Sequence, residues 1–232
     1  RHSAAIRYLA DSGPKTRKAL LVGLGDDLHF DGYFPVTPKN KNVLDSDGRW
    51  PKVFDTAVQI YVDMVEVLLD SHEEVDVIIV AGNHNPASSV ALTRVLRAYY
   101  RLEDRVCVVD GDGAFRYYDF GDCLFGVTHG DTCKQEDLPS IMSTDVPSLW
   151  GSTEHRLWLV GHVHHSSKKD YRGCSVEHFR TLAPRDAWHA EQGYRSRQSM
   201  TRLVFHEEYG EIARTTIDST LLKAILGDKQ AG

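Results

Sequence analysis

Val75-Asp76-Val77-Ile78-Ile79-Val80-Ala81-Gly82-Asn83-His84-Asn85 is the stretch from which the fold follows. Its first six residues, rich in valine and isoleucine, read as a buried strand. A glycine and three polar side chains come next, and residues 88–100 return to helical spacing with Ser88 or Ser89 as cap. Strand, polar turn and helix in that order are half of a parallel α/β layer. Working outward, Ala19-Leu20-Leu21-Val22-Gly23-Leu24 is a second apolar run and ends in Gly25-Asp26-Asp27-Leu28-His29. Residues 3–11 and 52–69 carry helical spacing, the latter through Val53, Ala57, Ile60, Tyr61, Met64, Val65 and Leu68. Between strand and helix, residues 25–51 are polar and aperiodic, and a loop of that length in a compact domain is usually functional or mobile.

The second half changes character. Residues 106–109, 115–120, 123–128, 156–160 and 175–182 read as strands separated by turns, with one helical stretch near 138–142. Antiparallel pairing is expected to dominate there. Residues 200–205 and 211–217 read as a hairpin, followed by a terminal helix over 219–226.

Bulk properties bound the function. At 232 residues with 41% hydrophobic and 26% charged residues, the chain fits one globular domain spanning 1–232. A net charge of −6 argues against a generic basic nucleic-acid coat, while leaving a local positive channel or neutralising cations open. Cys107, Cys123, Cys133 and Cys174 form no C-x-x-C pair, so reduced thiols are expected. No apolar stretch approaches the roughly 20 residues of a membrane helix, and no leader opens the chain. A cytoplasmic location without membrane contact is the expectation.

Four polar strings each follow an apolar run: Gly25-Asp26-Asp27-Leu28-His29, Gly82-Asn83-His84-Asn85, Thr128-His129-Gly130-Asp131 and Gly161-His162-Val163-His164. Strands that end in glycine plus a metal-capable side chain present ligands from the carboxyl edge of a sheet. One Asp, one Asn and three His make an oxygen and nitrogen set without thiolate, suited to Mn²⁺, Fe²⁺ or Zn²⁺. A lone histidine at a strand end is more often satisfied by its surroundings than a ligand, so the joint order carries the reading.

In order and spacing the strings G-D-x-x-H, G-N-H, H-G and G-H-x-H resemble those of the calcineurin-like metallophosphoesterase superfamily, in particular its DNA double-strand-break repair nuclease branch. The chain is also similar to phage-encoded phosphoesterases of unassigned substrate, to which Asp186-Ala187-Trp188-His189 and Gly193-Tyr194-Arg195-Ser196 add likeness. The resemblance implies a four-layer α-β-β-α sandwich with mixed sheets. It implies a two-ion site in the complete protein, Mn²⁺ first, with Fe²⁺, Zn²⁺ or Mg²⁺ as alternatives. Asp26 would bridge the ions, Asn83, His129 and His162 would complete one, and His164 would reach the other. A metal-activated hydroxide would attack phosphorus, with His84 protonating the leaving alkoxide. His29 and Asp31, just past Asp26, are candidates for touching substrate, the plainer reading of Asp31 being a capping carboxylate.

Two departures follow from the same resemblance. The superfamily's Asp-x-His at the end of its first strand is absent ahead of Asp26, so an N-terminal strand is expected to be missing, leaving one ion weakly held. Asn85 stands where many relatives carry an Asp that orients the histidine; its amide can accept the ring N–H without adding charge, which lowers His84 basicity. The function expected is phosphodiester hydrolysis, in DNA or RNA before a small or cyclic nucleotide or a phosphomonoester. A catalytically impaired homologue that binds nucleic acid or protein is the alternative from another class, and a homodimer is left open. Lys39 and Lys41, in the long loop, are placed to meet a phosphodiester; the arginines at 195, 197 and 202 read as solvated strand charge.

Overall fold

A computed structural model describes residues 1–36, 43, 49–183 and 197–228. Lys39, Lys41 and the stretches at 186–189 and 193–196 lie outside the described residues. Helix α1 (His2–Asp11) leads into β1 (Lys18–Gly23), α2 (Trp50–Leu69), β2 (Glu74–Ile79), α3 (Pro86–Tyr99) and β3 (Val106–Val108). The three strands form a parallel sheet in the order β1-β2-β3. Alternation sends Val75, Val77 and Ile79 to one face, where Tyr61, Val65 and Leu68 of α2 and Leu92 and Leu96 of α3 meet them. Ile78 and Val80 point the other way.

A second sheet receives them. It is built from β4 (Arg116–Phe120), β5 (Cys123–Thr128), β6 (His155–Val160), β7 (Ser167–Tyr171) and β8 (Cys174–His178), ordered β4-β5-β6-β8-β7. Ile78 and Val80 pack on Phe125, Val127, Leu157 and Leu159, which makes the inter-sheet core. On its outer face Leu124, Trp158, Val160 and Val176 meet Leu138 and Met142 of α4 (Leu138–Asp145), flanked by α5 (Pro147–Ser152). Three cores therefore separate four layers, the α-β-β-α sandwich expected from the sequence. Helix α4 extends past the short stretch read there, and α5 and β7 are elements that the sequence pattern did not announce. Antiparallel pairs flank the second sheet, but its centre is parallel, β5 to β6 and β6 to β8, which corrects the expectation of antiparallel dominance.

The hairpin β9 (Ser199–His206) and β10 (Gly210–Asp218) and helix α6 (Ser219–Asp228) complete the described chain. The hairpin is tied to the second sheet by Arg214, which grips the buried Glu177 with both guanidinium nitrogens and Glu211 at 2.7 Å. Replacing Arg214 by methionine leaves Glu177 with only Lys168, at 3.9 Å. An uncompensated buried carboxylate costs about 3 kcal/mol. Denaturant unfolding of Arg214→Met is expected to read that loss, and adding Glu177→Gln to recover most of it. Arg202 donates to the carbonyls of Leu9, Ser12 and Pro14, a structural tie that corrects its reading as solvated strand charge. All four cysteines are free, and among the described residues no helix is long and apolar enough to cross a membrane.

Candidate metal centre

Because β1 and β2 are parallel, and β5 and β6 are parallel, the four polar strings emerge from strand ends gathered on the carboxyl edges of the two sheets. The edges are laced together there. Val80 N–H donates to the Gly23 carbonyl, Gly161 N–H to that of His129, and His129 Nδ1 lies 2.7 Å from the Leu24 carbonyl. Close backbone approach demands glycine: a Cβ on Gly82 would lie 2.0 Å from Asp26 Oδ1. The non-glycine residues with positive φ among those described are Asp26 (57°), His162 (63°) and His164 (55°), all of them candidate ligands. Such conformations cost of order 1–3 kcal/mol each and persist where surrounding structure enforces them, often at functional sites.

His129 is the centre of the group. A carbonyl can only accept, so Nδ1 carries the hydrogen given to Leu24 and the neutral ring leaves Nε2 as a bare lone pair. Around that nitrogen stand Asn83 Oδ1 at 3.0 Å, His162 Nδ1 at 3.1 Å and Asp26 Oδ2 at 3.2 Å. The Asn83 and Asp26 oxygens only accept, so facing that lone pair they are repulsive unless a cation or an added proton lies between, and His162 Nδ1 joins them as an acceptor in the tautomer that carries its hydrogen on Nε2. Ligand atoms held at about 2.0–2.2 Å from one ion are themselves spaced by roughly 3.0–3.5 Å, which is the spacing found here. Asp26, His129 and His162 each offer an atom within 4.8 Å of the others, so the residues fit a divalent ion. Burial opposes charging His129, but Asp26 outweighs it and raises its pKa. Asp26 is held below the usual carboxylate range: burial acts against this, and His129 and the His84 N–H overcome it. Burial, then the His129 charge, lowers the pKa of His162, preserving its lone pair.

The other predicted residues divide. His84 donates its backbone N–H to Asp26 Oδ1 (2.9 Å), its Nδ1 meets the His29 carbonyl at 3.0 Å, and its ring stacks on His29 with centroids 5.5 Å apart. Asn85 does not orient it. That amide is fully buried ahead of α3, and neither side-chain atom has a hydrogen-bond partner among the described residues. Asp31 sits as in its plainer reading: its oxygens accept the N–H groups of Ala87 and Ser88, both at 2.8 Å, and the Ser88 hydroxyl. It caps α3 from a distant loop. His164 shares the edge but stands outside the three-residue group.

Sequence reasoning missed Asp27. Tyr61 donates to its Oδ1 at 2.6 Å, while Oδ2 is buried with no hydrogen-bond partner. Burial, with a contribution from the neighbouring Asp26 charge, pushes its pKa up to about 6. Gly23 makes the contact possible, since a Cβ there would overlap the Tyr61 hydroxyl at 2.0 Å. The signal available in sequence was only the doubling of aspartate.

No protein-family profile and no curated protein sequence matches the chain. Solved structures similar to it include Vps29 from Entamoeba histolytica. A single mutant gives TM-score 0.38 at 14% identity, and the wild-type protein complexed with Zn²⁺ gives 0.35 at 15%; each covers 86% of this chain and 98% of the Vps29 chain.

Proposed function

We propose that the chain is a metal-dependent phosphodiesterase acting on nucleic acid, in line with the resemblance to repair nucleases and phage phosphoesterases. The observation that carries the reading is the convergence of the Asp26 and Asn83 oxygens and of His162 Nδ1 on Nε2 of His129. Asp26, Asn83, His129 and His162 would hold one divalent ion per chain, with Mn²⁺ the first candidate. Such an ion supplies Lewis-acid stabilisation of charge on a phosphoryl oxygen. Asp26 fixes the neighbouring loop by accepting the His84 N–H. With Nδ1–H given to the His29 carbonyl, Nε2 of His84 is the nitrogen left to pass a proton to a leaving oxygen.

Aromatic exposure near the site favours a nucleic-acid substrate. Tyr33 and Phe34 are each 79% exposed, and Tyr33 leans on Trp50, with ring centroids 6.0 Å apart. Trp50 is hydrogen-bonded to Ser88, which also contacts Asp31, so the Tyr33 and Trp50 rings border the start of α3. Bases stack on such surfaces with about 1–3 kcal/mol each. The purified chain, stripped with chelator, is expected to bind one Mn²⁺ by calorimetry and then to hydrolyse bis-p-nitrophenyl phosphate and single-stranded oligonucleotides. Absence of both stoichiometric binding and hydrolysis across Mn²⁺, Fe²⁺, Zn²⁺ and Mg²⁺ would overturn the reading.

A further inference from the structure

The loop after β1 is fastened along its length to the segment that opens α3. Leu28 and Phe30 are buried and anchor the loop, while His29 and Asp31, which alternate with them, meet residues 84–88. His84 donates its N–H to Asp26 Oδ1, and its ring meets the His29 carbonyl and stacks on the His29 ring. Asp31 closes the row. Its Oδ2 accepts the Ala87 N–H and its Oδ1 that of Ser88. The Ser88 hydroxyl also donates to Asp31 Oδ1, and its oxygen receives the Trp50 indole N–H at 3.1 Å, which fastens the start of α2 to the same point. Gly32, with a φ of 117° that strains any residue bearing a side chain, turns the chain away just after the carboxylate.

A helix leaves its first backbone N–H groups without partners of its own. In α3, Pro86 has no N–H to offer, and Ser89 N–H already bonds the Asn85 carbonyl at 2.9 Å. Ala87 and Ser88 remain, and Asp31 takes both. Asn85 occupies the cap position but makes no side-chain bond to the helix among the described residues. A carboxylate is also favoured there by charge, since a helix N-terminus is partly positive. Two oxygens on two successive N–H groups set the start of α3 against the loop in both distance and rotation. The link from that point back to His84 is short and stiff: Pro86 fixes its own φ and restricts Asn85, which is wholly buried. A movement of the helix start against the loop therefore moves the His84 ring against the His29 carbonyl.

We infer that Asp31 is a positioning residue for His84. By clamping Ala87 and Ser88 it holds the His84 ring on the His29 carbonyl, which keeps the hydrogen on Nδ1 and leaves Nε2 for a leaving oxygen. It acts through its neighbours and not by contact with the reacting atoms. The part His84 plays in turnover rests on the function proposed above; the position of its ring does not.

Long-range proton-nitrogen correlation spectra of the metal-free chain, at a pH where the ring is neutral, read the hydrogen on each nitrogen of His84 without any turnover. The signals are assigned by their loss in His84→Gln. The parent should show one tautomer, with hydrogen on Nδ1, and Asp31→Ala should draw the two nitrogen resonances toward the average of exchanging tautomers. Asp31→Asn, which keeps one acceptor oxygen, should shift them less. In kinetics with Mn²⁺, Asp31→Ala is expected to lower kcat for a dinucleotide about 100-fold with KM within about twofold, the loss that a small misplacement produces. Bis-p-nitrophenyl phosphate, which needs no proton on its leaving group, should stay within about threefold. In the His84→Gln background the same substitution should cost the dinucleotide less than about threefold, because the two residues act as one unit. Should Asp31→Ala not fold by circular dichroism, Asp31→Asn carries the same comparisons. Unchanged His84 resonances overturn the proposal whatever the activity, and so do equal losses on both substrates or full additivity with His84→Gln. A parent chain without turnover overturns the phosphodiesterase reading instead, and the spectra then decide the positioning alone.

Discussion

Asp26→Ala is expected to cut kcat/KM for bis-p-nitrophenyl phosphate at least about 1000-fold, or about 4 kcal/mol of transition-state stabilisation. Asp26 brings the one carboxylate to a group otherwise made of the candidate ligands Asn83, His129 and His162. Its other oxygen holds the His84 N–H, so alanine removes a ligand and releases the neighbouring loop together. Asp26→Asn separates these effects. The amide oxygen can keep the His84 contact while the charge is gone, so this variant should retain its fold by circular dichroism and still lose Mn²⁺ in calorimetry. His129→Ala should resemble Asp26→Ala, because it deletes the nitrogen on which the other acceptors converge. Initial rates across a Mn²⁺ series decide the matter: turnover within tenfold of the parent in both alanine variants would remove this group from the chemistry.

Much of this site was legible in the sequence because an apolar strand that ends in glycine and polar residues stands out against its own run. Asp26, Asn83, His129 and His162 were found that way, and the structure brings them together. Contacts that cross the fold were not legible. Asp31 caps a helix that begins 55 residues later, and no local pattern distinguishes a carboxylate facing N–H groups from one facing substrate. Asp27 depends on Tyr61, from another element, and on the lack of a side chain at Gly23. Strand β7, Ser-Lys-Lys-Asp-Tyr, is exposed along nearly all its length and has no apolar face for periodicity to reveal. The parallel centre of the second sheet escaped because short, fully buried runs such as β5 carry no mark of strand direction.

His84→Gln should discriminate between substrates by leaving group. Hydrolysis of a dinucleotide, whose alkoxide needs a proton as it departs, is expected to fall by about 100- to 10,000-fold, the usual contribution of a positioned acid. Bis-p-nitrophenyl phosphate releases a nitrophenolate that departs without one, and should lose less than about tenfold. Two contacts fix the ring for the proposed role. The His29 carbonyl fixes the hydrogen on Nδ1 from 3.0 Å, and stacking at an interplanar angle of 16° holds the ring plane. That geometry leaves Nε2 as the exchangeable position, and Asn85 contacts neither ring nitrogen. The carbonyl partner sets the tautomer. Equal losses on both substrates would assign His84 to holding the loop through its backbone N–H alone.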